Sequence, residues 1–292
     1  MQQRHWPVHA GFAVLWGLVF VLVDRVVDAV GWAAGAAATS LVFAVAVAIL
    51  AVARGRELRW QLGWSRVLIL GVAVAIQNAG IAIAAERAGI TLTVVVLGSV
   101  PVFATLIGQL RGLTPITAPA VTGVVAGVLG LLLVVAFPRS GTGWSFLSGT
   151  LAGLLGAVAT GFIFSYARAT TRPSGRVEAA SGSSLLAAFL IAPLAVLFPS
   201  GQGSGSGWVW VLALGALVAF GRLHSDLLRS GSGRSGAIAA AKAVGMVLVV
   251  LGGAFLGQPL SFGQWLGAVL ILGSSGLILP LFPDGSATSA RR

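Results

Sequence analysis

From Val8 to Phe282 the chain passes through ten apolar runs, most of them close to twenty residues long. Short breaks that are polar or carry Gly and Pro separate them. A helix needs about 20 apolar residues, within a range of about 17–25, to cross the hydrocarbon core of a bilayer. The repetition leaves little else for the chain to be. Charged residues make up only 9% of it and apolar residues 57%. A soluble domain carries about a quarter charged residues, so too few charges remain here to solvate a globular surface. The reading is an all-α membrane protein with ten transmembrane helices.

The runs are Val8–Val23, Ala29–Ala53, Val67–Ala85, Ile90–Leu110, Pro119–Phe137, Phe146–Ala167, Ser183–Phe198, Trp208–Leu228, Ala237–Leu256 and Phe262–Phe282. The seventh is short, and the eighth carries His224 and Asp226 near its end. Arg54, Gly55, Arg56, Glu57 and Arg59 make a polar hinge, and Pro115 and Pro119 bracket a turn. Residues 200–207 form a Gly/Ser-rich link. The tail from Asp284 to Arg292 is small and polar, the composition of a disordered end. No clear small-residue cleavage site follows the first run, so it is expected to be a retained helix and not a signal peptide.

Charge sets the orientation. With ten spans and the N-terminus inside, the inner segments hold 14 Arg: Arg4, Arg54, Arg56, Arg59, Arg66, Arg111, Arg168, Arg172, Arg176, Arg222, Arg229, Arg234, Arg291 and Arg292. The outer segments hold Arg25, Arg87 and Arg139. This is the asymmetry of the positive-inside rule, and removing one span would invert every later loop and destroy it. The expected location is the plasma membrane, multi-pass, with both termini cytoplasmic. The net charge of +11 therefore reads as a topology signal. It does not read as a nucleic-acid footprint, because no soluble domain is left to bind one.

Ten spans divide into two fives. In the first half, Gly98 to Phe103 leads through Leu113-Thr114-Pro115-Ile116 into a Gly-rich span at Gly123–Gly130. In the second half, the run from Ala237 leads through Gly257-Gln258-Pro259-Leu260 and Gln264-Trp265-Leu266-Gly267 into another. Each half holds an odd number of spans, so the second would enter the membrane upside down. That is the inverted-repeat plan of alternating-access carriers. The expected division is 1–139 for the first five-helix repeat, 140–283 for the second, and 284–292 for the tail.

At these residues the chain resembles the EamA-type family of the drug/metabolite transporter superfamily. The resemblance rests on Trp16-Gly17-Leu18-Val19-Phe20-Val21, on a second run ending in Arg-Gly-Arg, on Gly89 to Phe103 with its Pro-Val-Phe, and on Gly257-Gln258-Pro259-Leu260 leading to Gln264-Trp265-Leu266-Gly267-Ala268. It covers roughly Gly11 to Leu281, and order and spacing carry it. It implies two inverted five-helix halves and a carrier of small metabolites or drugs. The chain departs from the family at three places. Gln258 stands where Glu is common, Thr39 and Ser40 stand near a frequent Arg, and Val244 and Gly245 replace an acid and Pro.

Lys242 is the sharpest candidate, being the only Lys among 18 basic residues and lying inside the ninth run. A charge at the centre of a spanning helix costs about 2.5–3.5 kcal/mol and usually faces a cavity. There Lys242 would bind an anionic group, or titrate, since desolvation lowers a lysine pKa and permits proton coupling. The competing reading has its stem snorkel to the inner face. Gln77 and Asn78 sit mid-run, about 100° apart on a helix. Either one of them lines a cavity and hydrogen-bonds substrate, or the two bond across to a neighbouring helix as packing ties. Trp16 and Phe20, one turn apart, either wall an apolar cavity or face lipid. Tyr166 reads as an interfacial aromatic. Pro101 and Gly245 are candidate hinges that free a carbonyl near the midplane. Gly123-Gly127-Gly130 and Gly149-Gly153-Gly156 read as close-packing faces. Glu86, Arg87, His224 and Asp226 read as solvated span ends.

No metal site is expected, with three His and no Cys. No cofactor is expected, since Gly231-Ser232-Gly233 lacks the lysine and strand of a phosphate loop. The expected partners are a small-molecule substrate and the lipid bilayer. The favoured function is a secondary transporter, in the export direction, and not an enzyme. The alternatives are a non-transporting membrane scaffold, suggested by the lost polar positions, or an enzyme acting on lipid-linked substrates. Seven scattered acidic residues argue against the enzyme.

Overall fold

The computed structural model describes residues 6–53, 63–113, 115–138, 143–170, 175–201, 205–229, 244–253, 258 and 260–278. Every regular element among them is helical. In chain order they are α1 (Trp6–Val30), α2 (Trp32–Ala53), α3 (Trp64–Ala88), α4 (Ile90–Leu97), α5 (Val100–Leu110), α6 (Ala118–Ala136), α7 (Gly143–Thr170), α8 (Arg176–Leu197), α9 (Gly207–Arg229), α10 (Val244–Gly253) and α11 (Phe262–Ile278). Six helical stretches are long and apolar enough to cross a membrane: α2, α3, α4 with α5, α6, α7 and α8. The apolar stretches of α9, α10 and α11 are shorter.

The apolar side chains face outward as often as inward. On α6 the glycines Gly123, Gly127 and Gly130 are buried, while Val121, Val125, Leu129 and Leu132 are exposed. The same outward belt runs along α1 through Val14, Leu18 and Val21, and along α2 through Leu41, Val45, Ile49 and Val52. Exposed apolar surface this continuous is unsuited to water. It suits lipid, where helices associate through small residues and close packing.

Three differences from the sequence reading go beyond shifts of three residues at helix ends. Helix α1 continues past Val23 through Asp24, Arg25 and Asp28 to Val30. The turn comes at Gly31, whose φ of 82° suits glycine. Helix α8 begins at Arg176, seven residues before the expected Ser183, because Val177, Ala179 and Ala180 extend its packing face. The run Ile90–Leu110, expected as one helix, breaks at Gly98-Ser99 into α4 and α5. Pro101 is the cause: it has no N–H to give the Leu97 carbonyl one turn back.

The helix pairs repeat with an offset of 144 residues. Helices α2 and α8 are each 22 residues long, and their first residues, Trp32 and Arg176, lie 144 apart. The N-caps of α6 and α11 keep the same interval. Thr117 Oγ1 accepts from the Ala120 N–H at 3.4 Å, and Ser261 Oγ accepts from the Gln264 N–H at 3.3 Å. Gln264 completes a capping box by accepting from the Ser261 N–H at 2.9 Å.

The contacts follow the same interval. Gly71 on α3 packs against Leu186 on α8, and Gly215 on α9 packs against Val42 on α2. Both members of the second contact stand 144 positions from their counterparts in the first. Helix α2 pairs with α8 and α6 with α11, while α3–α7 has its counterpart in α1–α9. Gly161 on α7 lies against Phe103 and Ala104 on α5, as Gly17 on α1 lies against Gly245 on α10. The α6–α11 pair is antiparallel, with Gly123 beside Ile278 and Gly267 beside Gly130 and Val134.

Candidate functional site

The α4–α5 break lies in the most buried part of the bundle. Ser99 and Val102 are fully buried, and Val94 to Leu97 nearly so. At the break Val102 N–H turns to the Ser99 carbonyl at 2.9 Å, leaving the Gly98 carbonyl without its usual helical donor. Ser275 of α11 supplies one, its Oγ lying 3.0 Å from Gly98 O and 3.2 Å from its own Ile271 carbonyl. The Pro101 candidate is thus placed at a mid-run discontinuity whose freed carbonyl is held by a hydroxyl from another helix. Sequence reading had no means of finding Ser275. A serine in an apolar run reads as a small packing residue until its neighbour is known.

Removing that hydroxyl tests the bond. Ser275→Ala should lower stability by about 1 kcal/mol, since the buried Gly98 carbonyl loses its donor and water cannot replace it. Thermal unfolding in detergent measures this, and an unchanged transition would remove the bond from the account.

Phe20 is buried in the main core with residues of α2, α3, α4 and α10. Trp16, one turn away, is half-buried and packs with the α1–α9 cluster around Val211 and Leu214. Both rings therefore face protein rather than lipid. Asn78 donates to Ser40 Oγ at 2.8 Å, and Ser40 donates in turn to the Ala36 carbonyl at 2.6 Å. This makes Asn78 a cross-helix tie between α3 and α2. Gln77 is half-buried and has no hydrogen bond among the described residues. Its backbone carbonyl lies beside Gly156 of α7. Of the two amides, Gln77 is the one left for a ligand. Gly245 is buried between Ala13, Trp16 and Gly17 of α1, where a Cβ would come 2.6 Å from the Ala13 carbonyl. That crowding makes it a close-packing point. Lys242 lies outside the described residues.

Two further ties bind the ends of the bundle. At one end, Gln258 Oε1 accepts from the Thr91 N–H at 3.4 Å and from Thr91 Oγ1 at 3.2 Å. It caps the start of α4 from the turn before α11. Gln258 therefore has a specific acceptor role in the fold. Ser261 Oγ also donates to the Phe137 carbonyl at 2.8 Å, joining the end of α6 to the start of α11. At the other end Tyr166 stacks on Phe162 with centroids 5.4 Å apart. Arg87 is exposed and reaches Ser148 Oγ at 3.2 Å, and Glu86 is exposed. Among the described residues no group of His, Cys, Asp and Glu could hold a metal ion.

No protein-family profile and no curated protein sequence matches the chain. A solved structure described only as "Crystal structure of protein" is similar over 100% of both chains, with a TM-score of 0.63 and 19% identity. At that identity the likeness is one of fold.

Proposed function

We propose that the protein is a secondary transporter of small metabolites or drugs, working by alternating access in the plasma membrane. Its ten spans form two five-helix halves of opposite orientation, with α4 and α5 together as one span, as in EamA-type carriers. The observation that carries this is the 144-residue offset. One interval relates helix starts, caps and glycine contacts in both halves, and it pairs α2 with α8 and α6 with α11 as equivalents. A fold whose halves are interchangeable in this way has two related packings, open to opposite faces, that differ little in energy. That is the requirement of alternating access.

Substrate is proposed to meet the interior where α1, α3, α4–α5 and α10 converge, with Phe20 and Trp16 as apolar walls and Gln77 as a hydrogen-bonding amide. Lys242 is proposed as the charged member, since the same interval pairs it in sequence with Gly98 at the α4–α5 break. It would bind an anionic group or carry a coupling proton. No chemical change of the solute is expected.

The test is a panel of solutes offered to the purified protein in proteoliposomes and to a host deleted for its own exporters. Movement of an unmodified solute that depends on the protein is the expected result. A chemically modified product would replace this reading with a membrane enzyme. Correct insertion without movement of any compound would favour a scaffold.

A further inference from the structure

The last turn of α7 is gripped by two arginines from different helices. Arg66, near the start of α3, donates from Nη1 to the Thr170 carbonyl at 3.2 Å. Arg111, at the end of α5, lies over the Tyr166 ring with its guanidinium carbon 5.3 Å from the centroid. Tyr166 and Thr170 are one turn apart, so both arginines reach the last turn of α7, one at its backbone end and one at a ring.

Both guanidinium groups are exposed, and neither has a carboxylate partner among the described residues. Two large apolar side chains adjacent to them in sequence, Trp64 and Leu110, are each 87% exposed. The bland account is that the arginines offset the carbonyl end of the α7 dipole. That uses one of the five N–H donors of Arg66. Arg111 lies over the Tyr166 ring, and no hydrogen-bond acceptor for its guanidinium N–H groups stands among the described residues.

We propose that this patch holds an anionic phospholipid, its phosphate between Arg66 and Arg111 and its acyl chain along Trp64 and Leu110. Charge complementarity selects the headgroup, since two guanidinium groups with no carboxylate partner among the described residues present several N–H donors to phosphate oxygens. The adjacent bare apolar surface selects a lipid over a soluble anion. Basic sites between helices on the inner face are where anionic headgroups are captured. The inference rests on the membrane orientation proposed above and is independent of transport, so a failed transport assay leaves it standing.

Native mass spectrometry of the purified full chain, with phosphatidylglycerol and phosphatidylcholine offered together, reads the preference. Wild type should retain phosphatidylglycerol selectively. Arg66→Gln with Arg111→Gln should reduce that selectivity about thirtyfold, the product of two basic contributions near a membrane surface. Arg66→Lys with Arg111→Lys should keep much of it, and Arg25→Gln at the opposite end of the bundle should change nothing. If the double Gln variant does not fold, wild type alone decides. Its selectivity should then fall as salt is raised, because the attraction is screened. Equal retention of both lipids, a preference indifferent to salt, or one unchanged by the double substitution would each overturn the proposal. Displacement of phosphatidylglycerol by millimolar inorganic phosphate would assign the patch to a soluble anion instead.

Discussion

Gly130→Leu should leave little folded protein, whereas Gly273→Leu, in the helix that faces Gly130, should be nearly silent. A Cβ at Gly130 would lie 2.7 Å from the Gly267 carbonyl oxygen and 3.1 Å from the Ile271 nitrogen. Both are backbone atoms, so no rotamer change can relieve the clash, and α6 and α11 would have to separate. Overpacking a tight core costs typically about 1–3 kcal/mol, and a full leucine side chain against two backbone atoms belongs at or above the top of that range. Gly273 meets nothing within 4 Å and is exposed. A leucine there faces lipid and gains helix propensity over glycine. Unfolding of both variants in the same detergent, followed by helical signal, gives the comparison. Equal destabilisation would mean that the α6–α11 contact does not hold the bundle together.

That contrast marks where sequence was sufficient. The apolar runs and their breaks located the described helices, because in lipid a backbone must satisfy itself within the segment, but they did not show the α4–α5 break inside Ile90–Leu110. The spacing Gly123-Gly127-Gly130 announced a close-packing face, and the partner glycine Gly267 was visible in its own Gly-rich run. Even the matched positions of Pro101 and Gly245 were legible as a repeat.

What sequence could not supply was the identity of partners across helices. Asn78 and Gln77 are neighbours of the same chemical type, and only the position of Ser40 on α2 separates the tie from the unbonded amide. Ser275 became significant because α11 lies against the Gly98 carbonyl, whose helical donor, the Val102 N–H, turns to Ser99 at the break. Gln258 looked like a lost family feature, yet its amide oxygen is an acceptor for Thr91. Tyr166 looked like a lone interfacial ring, and its arginine comes from a residue 55 positions earlier, in a different helix. Long-range pairing of this kind leaves no periodic trace.

The second large effect falls on Lys242. Lys242→Met should abolish solute movement while insertion and melting temperature stay at or above wild-type values. A cation at the centre of a spanning helix costs about 2.5–3.5 kcal/mol, so replacing a lysine inside the ninth apolar run with methionine should not weaken insertion. The interval of 144 residues sets this lysine in sequence register with Gly98, where the first half breaks its helix and Ser275 takes up the buried carbonyl. Two halves that share caps and packing contacts would then differ at that point, with a carbonyl held by Ser275 in one and a lysine at the matching sequence position of the other. Lys242→Arg separates charge from shape. If the role is to attract an anion, arginine should restore part of the transport. If the role is to release a proton, arginine should fail, because a guanidinium does not titrate in this range. Transport kinetics unchanged in Lys242→Met would instead mean that the side chain reaches the inner membrane face on its four-carbon stem, and the interior would then have to select its substrate by shape and by the amide of Gln77 alone.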